Sequence, residues 1–316
     1  MKIVVLNECF FDKQHIDRLG SLGKVVIYKD TDSEEKAIER LSDADVAIAD
    51  QFLIRFNDEV FKSAKNLKFL ALNTTSFSNV DLQAANRSGV KVSNVPGFSK
   101  QSVAELAIGL IFAVNRKIPT GDSMVRKAPF ELDPGNKEHQ SFIGFDLKGK
   151  TLGVIGMGNI GTIVARLGAA LGMSVVAFNR SPKNVNGVKM VAFDELLKIS
   201  DVISLHLPLS SDTRDLISDK EFKLMKANAI LINTSAYEIV NAEALYKVLK
   251  SKMIKGAAID DSAKIPKNHP LLELDSIVVT PHEGSFTKES FFVTLPQMIV
   301  ENVEQFVKGK PINTVN

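Results

Sequence analysis

Gly156, Gly158 and Gly161 stand in the run Gly153-Val-Ile-Gly156-Met157-Gly158-Asn159-Ile160-Gly161. A strand-like stretch, Thr151–Ile155, precedes them and a small-residue helical stretch from about Thr162 to Leu171 follows. In that frame each glycine has its own task in holding a dinucleotide. Gly156 turns the chain out of the strand. Gly158 removes a Cβ that would block a pyrophosphate. Gly161 lets the helix pack close to the sheet. The free N–H groups of Asn159 and Ile160, at the positive end of the helix, then meet the anion.

A second strand, Ser174–Phe178, ends in Asn179-Arg180-Ser181-Pro182-Lys183. An NAD site closes this strand with Asp or Glu, which accepts from the ribose 2′-OH. Asn179 holds that position, eighteen residues after Gly161, and the carboxylate is missing. A carboxylate would repel a 2′-phosphate. A neutral Asn179 beside Arg180 attracts one, and Ser181 and Lys183 add a hydroxyl and a second cation. The expectation is NADP(H), with NAD(H) also possible.

The elements that must position these residues are read from apolar periodicity. The chain has 316 residues, enough for two domains. Strand candidates Lys2–Leu6, Lys24–Tyr28, Val46–Ala49, Phe69–Leu72 and Val90–Ser93 alternate with amphipathic helical segments. This is the rhythm of a parallel sheet covered by helices. Asn94-Val-Pro96-Gly97 breaks it, and an apolar helix from about Ser102 to Lys117 follows. The stretch Pro119 to Lys148 reads as polar and irregular, a candidate dimer arm. From Lys150 the alternation resumes, through Val202–Leu205, Ala229–Asn233, Gly256–Ile259 and Ile277–Thr280. A last helix, about Lys288 to Gly309, is expected to return to the first domain. The boundaries expected are 1–97 with 284–316 for a substrate domain, and 98–283 for the nucleotide domain.

Hydrophobic content of 45% and charged content of 24% describe an ordinary globular chain, and a net charge of +2 gives no general pull toward nucleic acid or membrane. With one cysteine, Cys9, and 5 histidines, no internal disulfide or Cys-rich metal site can form, and no metal is expected. The opening residues meet charge too early for a signal peptide, so a cytoplasmic location is expected.

Several motifs together resemble the D-isomer-specific 2-hydroxyacid dehydrogenase family. They are Asn94-Val-Pro-Gly97 with Ser102-Val-Ala-Glu105, the glycine run, Asp201-Val-Ile-Ser-Leu-His206-Leu-Pro208, Leu231-Ile-Asn-Thr234-Ser, Gly256-Ala-Ala-Ile-Asp260, and Thr280-Pro-His282-Glu-Gly284-Ser285. Their order and spacing are similar to the family's across almost the whole chain. The resemblance implies an α/β architecture of two doubly wound parallel-sheet domains, a Rossmann nucleotide domain and a flavodoxin-like substrate domain, with a cleft between. It implies hydride transfer between a nicotinamide and a 2-keto or 2-hydroxy acid, a small-molecule substrate, and a homodimer. It assigns His206, Pro208, Thr213, Thr234, Asp260, Gly284 and Ser285 to the coenzyme and His282 to proton transfer.

The chain departs from the family at two catalytic positions. The family's substrate-gripping Arg is matched by Ala236, followed by Tyr237, and its Glu partner of the histidine by Ile265. Its Gly-x-Gly substrate loop is matched by Thr74-Thr75-Ser76, whose backbone donors survive only if glycine dihedrals are not required. The expected pocket is apolar, lined by Phe52, Leu53, Thr75, Ser76, Ala236, Tyr237 and Ile265. Losing one preorganised donor costs about 3–4 kcal/mol in a transition state. Without the Glu, the pKa of His282 is expected at or below its ordinary value of about 6.5. Asp261, Glu238, Glu283 or the Tyr237 hydroxyl are the available substitutes. Two functions follow. One is a reductase with a more apolar carbonyl substrate and weak activity on ordinary 2-keto acids. The other is a catalytically silent homologue that binds NADP(H) as a sensor or interaction protein.

Overall fold

The structure is a computed structural model that describes residues 1–127, 140–181, 183–261 and 264–316. It divides into two compact units, Met1–Ser99 with Phe286–Asn316, and Lys100–Ser285.

The first unit holds a five-stranded parallel sheet in the order β2-β1-β3-β4-β5, with β1 (Lys2–Val5), β2 (Lys24–Ile27), β3 (Val46–Ala49), β4 (Phe69–Leu72) and β5 (Lys91–Ser93). This is the flavodoxin-like order. β1, β3 and β4 are near-continuous Val, Ile, Leu and Ala runs because both of their faces are covered. Alternate residues feed two cores. Val4, Ala47, Leu70 and Leu72 face one, and Ile3, Val5, Ile48 and Phe69 the other. The covering helices start at side-chain caps, Asp12, Ser33, Asn57 and Asp81, each accepting an otherwise unpaired N–H. The last helix, Leu295–Val307, belongs to this unit, with Leu295, Ile299, Val300 and Val303 in the second core and Phe306 stacked on Phe69 at 4.4 Å. It is entered through a π-helical turn, Glu289–Thr294, which apolar periodicity does not reveal.

The second unit holds a seven-stranded parallel sheet in the order β12-β11-β10-β9-β6-β7-β8. Its strands are β6 (Thr151–Ile155), β7 (Ser174–Phe178), β8 (Lys189–Met190), β9 (Val202–Leu205), β10 (Ile230–Asn233), β11 (Gly256–Ile259) and β12 (Ile277–Val279). The order runs outward from β6 in both directions, so the chain reverses its winding between β6 and β9. Ligands of open α/β sheets bind at the carboxyl ends of strands beside such a switch point. Strand residues again alternate between two cores, Leu152, Val154, Ile230 and Ala258 in one, Ile155, Leu205, Leu231 and Ile259 in the other.

The helix Lys100–Asn115 is apolar on nearly every side and packs against the sheet through Ala104, Ala107, Leu110, Ile111 and Val114. The stretch expected to be irregular from Pro119 is helical over Ile118–Lys127. Pro119 lies in the first turn, where a missing N–H costs nothing. No residue of that helix is buried, so burial periodicity could not reveal it. Residues 128–139, the middle of the expected dimer arm, lie outside the described residues. Among the described residues no helix is long and apolar enough to cross a membrane, and no group of three His, Cys, Asp or Glu is placed to hold a metal.

Candidate coenzyme and proton-transfer site

The glycine turn sits at the carboxyl end of β6 and opens directly into the helix Asn159–Ala170. Gly156 has φ 96°, and a Cβ there would lie 2.2 Å from the His206 carbonyl oxygen. At Gly161 a Cβ would lie 2.0 Å from the Gly156 carbonyl oxygen. These two glycines are required by the fold itself.

Gly158 differs. Its backbone is extended, with φ −74° and ψ −161°, and a Cβ would meet nothing within 4 Å. No neighbouring atom demands glycine at this exposed corner. It is also the N-cap residue, with no side chain capping the helix start. Open space in front of uncapped N–H groups at the positive end of a twelve-residue helix is the shape an anionic pyrophosphate needs. The residues present therefore fit a dinucleotide.

β7, the neighbour of β6, brings the ribose-position residues alongside. Asn179 is half-buried, accepts the Met157 N–H at 3.0 Å and donates to the Ser181 carbonyl at 2.8 Å. It thus braces the glycine turn as well as occupying the acidic position. Lys183 folds back to donate to the Met157 carbonyl. Arg180 is exposed and pairs with Asp212 at 3.1 Å. Ser181 is exposed. A surface hollow of about 430 Å³ opens beside Asn179, Arg180 and Lys183.

β9, on the other side of β6, carries the His206–Thr213 segment. His206 is half-buried, with Nε2 2.8 Å from Ser204 Oγ and Nδ1 3.4 Å from Thr234 Oγ1. Burial pushes its pKa down to about 3, so it stays neutral at working pH. Pro208 is exposed, and Thr213 ties the loop by donating to the Pro208 carbonyl at 2.7 Å.

The proton-transfer candidates gather at the ends of β10, β11 and β12. Asp260 follows β11, and its carboxylate accepts from Thr280 Oγ1 at 2.7 Å, Glu283 N–H at 2.9 Å and Gly284 N–H at 2.8 Å. It therefore pins the loop that follows β12. Gly284 is needed for that approach, since a Cβ would lie 2.8 Å from Asp260 Oδ2. Ser285, half-buried, ends the loop and this unit.

Held in this loop, His282 adopts φ 62°, a left-handed conformation that costs a non-glycine residue about 1–2 kcal/mol. The conformation sets its Nδ1 3.1 Å from Asp261 Oδ1. Asp261 is buried, while 67% of the His282 side chain stays exposed, so one imidazole edge is anchored and most of the ring remains accessible. The other carboxylate oxygen of Asp261 accepts the Tyr237 N–H at 3.1 Å. One buried carboxylate thus joins the loop after β10 to the histidine.

The Asp261 hydrogen bond raises the pKa of His282 above its ordinary value, outweighing the opposing effect of burial. Burial pulls the Asp261 carboxyl upward, but His282 and the Tyr237 N–H outweigh it, and the net shift is down. The expectation of a depressed His282 pKa is therefore corrected. The carboxylate beside His282 is that of Asp261, four residues before Ile265 in the sequence. Nothing in the sequence singled Asp261 out over Glu238 or Glu283, because the pairing depends on how the loop after β12 folds back.

The apolar positions are divided between the two units. Ala236 and Tyr237 are half-buried and pack on the core beside β10, and Ile265 is buried at 5% exposure. In the first unit, Phe52 and Leu53 are exposed, at 64% and 53%. Their loop is tied to the Thr75–Ser76 loop through Gln51, whose Oε1 accepts the Asn79 N–H at 2.8 Å. Neither Thr75 nor Ser76 has positive φ, so the loop does without glycine. Thr75 is exposed and Ser76 half-buried.

Residues 108–284, more than half of the chain, match the family described as D-isomer specific 2-hydroxyacid dehydrogenase, NAD binding domain. The chain is similar to a glyoxylate reductase from Thermococcus litoralis, 35% identical over 301 residues that cover 93% of this chain and 90% of that protein. It is similar also to a glycerate dehydrogenase from Methylorubrum extorquens, 36% identical over 296 residues covering 91% and 90%. The solved structure of an acyclic imino acid reductase in complex with NADPH and D-Arg superposes with a TM-score of 0.86 at 35% identity, covering 100% of both chains. With a dinucleotide-shaped turn, the family's strand orders and these matches in hand, the chain belongs to the D-isomer specific 2-hydroxyacid dehydrogenase family of oxidoreductases.

Proposed function

We propose that this protein is an NADP(H)-preferring reductase whose substrate is a 2-keto acid, a 2-imino acid or a related carbonyl compound with an apolar substituent. His282 is its proton donor and Asp261 the residue that positions it and favours its protonated form. The observation that carries this reading is the 3.1 Å pair between His282 and the buried Asp261. A proton donor for a forming alkoxide or amine must favour its protonated form and be reachable; Asp261 raises the pKa of His282, and most of the ring stays exposed.

The residues that would hold the coenzyme are Gly158, Asn159 and Ile160 at the pyrophosphate, with Asn179, Arg180, Ser181 and Lys183 at the phosphorylated ribose. His206, Pro208, Thr213, Thr234, Asp260, Gly284 and Ser285 are the further contacts. When bound, the nicotinamide supplies or accepts the hydride. Arg180 and Lys183 beside a neutral Asn179 support the 2′-phosphate form. A 35% identical relative solved with NADPH and D-Arg supports both that choice and an imine among the substrates. Ala236, half-buried against the core beside β10, supports an apolar substituent at that position.

A catalytically silent homologue is the competing reading, and it draws on Ala236 and Ile265, which offer no polar group. The accessible His282, paired with the buried Asp261, argues against it. The test is NADPH and NADH consumption followed by absorbance over a panel of 2-keto acids, with and without ammonia or an amine. Turnover with NADPH above NADH is expected. Calorimetric binding of NADPH with no turnover on any member would establish the silent reading instead. A homodimer is proposed through the second unit, where Ile118, Val125 and Ile143 are 55%, 58% and 69% exposed. Light scattering checks it, and a monomer at micromolar concentration would refute it. A cytoplasmic location is proposed with it, on the single cysteine.

A further inference from the structure

β6 lies between β9 and β7 in the sheet, so the glycine turn at its carboxyl end lies between the loops that follow those two strands. Arg180 leaves the end of β7 and Asp212 sits in the loop after β9, and their side chains meet at 3.1 Å. The ion pair therefore joins the two banks of the crevice. Both partners are solvent-exposed, at 85% and 71%, so burial does not force the pairing.

Asp212 is held in place by its own loop. The Thr213 hydroxyl donates to the Pro208 carbonyl at 2.7 Å and accepts the Ser210 N–H at 2.8 Å. Arg180 has the support of Asn179, which is braced on the Met157 N–H. The second cation of this loop, Lys183, is also engaged, on the Met157 carbonyl of the glycine turn. Both cations offered to a 2′-phosphate are thus occupied by partners within the protein.

We propose that Asp212 is a latch residue: its pairing with Arg180 closes across the coenzyme crevice, and a 2′-phosphate opens the latch by taking Arg180 for itself. The inference rests on the proposed coenzyme reading. Asp212 lowers the affinity for both coenzyme forms by holding the crevice closed, and lowers it more for NADP(H), whose phosphate meets a carboxylate. It thereby sets how strongly the protein discriminates between the two forms. Exposed pairs are worth at most about 1 kcal/mol, a factor of about five, so the latch opens readily.

The test compares wild type, Asp212→Asn and Arg180→Ala by stopped-flow and equilibrium titration with NADPH and NADH at low and high salt. In Asp212→Asn, NADPH affinity is expected to rise about threefold to fivefold with a faster association rate, NADH affinity to rise less, and the difference to shrink at high salt. Arg180→Ala is expected to weaken NADPH selectively. An Asp212→Asn variant that binds both coenzymes like wild type overturns the latch, even if Arg180→Ala confirms the phosphate contact. Wild-type protein that binds neither coenzyme overturns the coenzyme reading beneath it.

Discussion

Within the second unit the proposed coenzyme edge and the proposed proton-transfer edge are built by opposite means. At β6 the fold depends on glycines whose neighbours leave no room, Gly156 and Gly161. At β10 to β12 the expected Arg and Glu positions hold Ala236 and Ile265, and the histidine pairs with a carboxylate, Asp261, from the loop after β11. A backbone cradle is fixed by shape and admits few substitutes. A pKa depends only on which charge comes within reach, and several residues on nearby loops can bring one.

The sharpest way to break this comparison is His282→Gln. General acid catalysis contributes about 10²–10⁴-fold, and a loss of that size is expected in turnover with NADPH affinity unchanged. Retained turnover would remove the proton role from His282. Next in size is a pair of glycine substitutions. The Cβ of Gly158→Val meets no protein atom within 4 Å, so thermal stability should hold while NADPH affinity falls by more than about tenfold, over 1.4 kcal/mol. Gly161→Ala should behave the other way, losing about 1–3 kcal/mol of stability through a Cβ pressed on the Gly156 carbonyl. If Gly158→Val binds NADPH normally, the open corner is not the pyrophosphate site.

Asp261→Asn sharpens the other half. His282 has a raised pKa, so reduction should run at full rate at low pH and fall as pH rises through that value. Removing the carboxylate should move the break down toward about 6.5, and each unit of movement leaves about tenfold less imidazolium above it. NADPH affinity should not change. A pH profile that stays where it was would show that Asp261 positions nothing.

The sequence made the coenzyme edge legible because its signals are local. Strand, turn and helix lie within twenty residues of one another, and alternating apolar runs place each strand before any contact is known. Arg180 and Lys183 were equally plain as charges, but their partners Asp212 and the Met157 carbonyl were not, since neither follows from spacing. Asp261 was hidden for the same reason. Its distance from His282 is set by three hydrogen bonds onto Asp260 and by a left-handed histidine, and no periodic pattern encodes either. Local rules favour glycine or asparagine at such a φ, so sequence propensity points away from the conformation that makes the pair.

The two histidines give the finest test of the comparison. His206 has its pKa pushed down to about 3 by burial, so the native protein binds a proton there less readily than the unfolded chain. Its contribution to stability is present above about 6.5 and is lost as pH falls from there toward the folded value. His282 runs the opposite way, with its contribution full below about 6.5 and lost as pH rises through its raised value. Together the two place a stability maximum near pH 6.5. His206→Asn should therefore flatten the acid side of the stability curve while leaving the break in the pH–rate profile where it was. Imidazole resonances in NMR should show His282 titrating above 6.5 and His206 not titrating down to pH 5. A His206 that titrates near 6.5 would place water around its ring and remove the dry, neutral coenzyme edge from which His282 is distinguished.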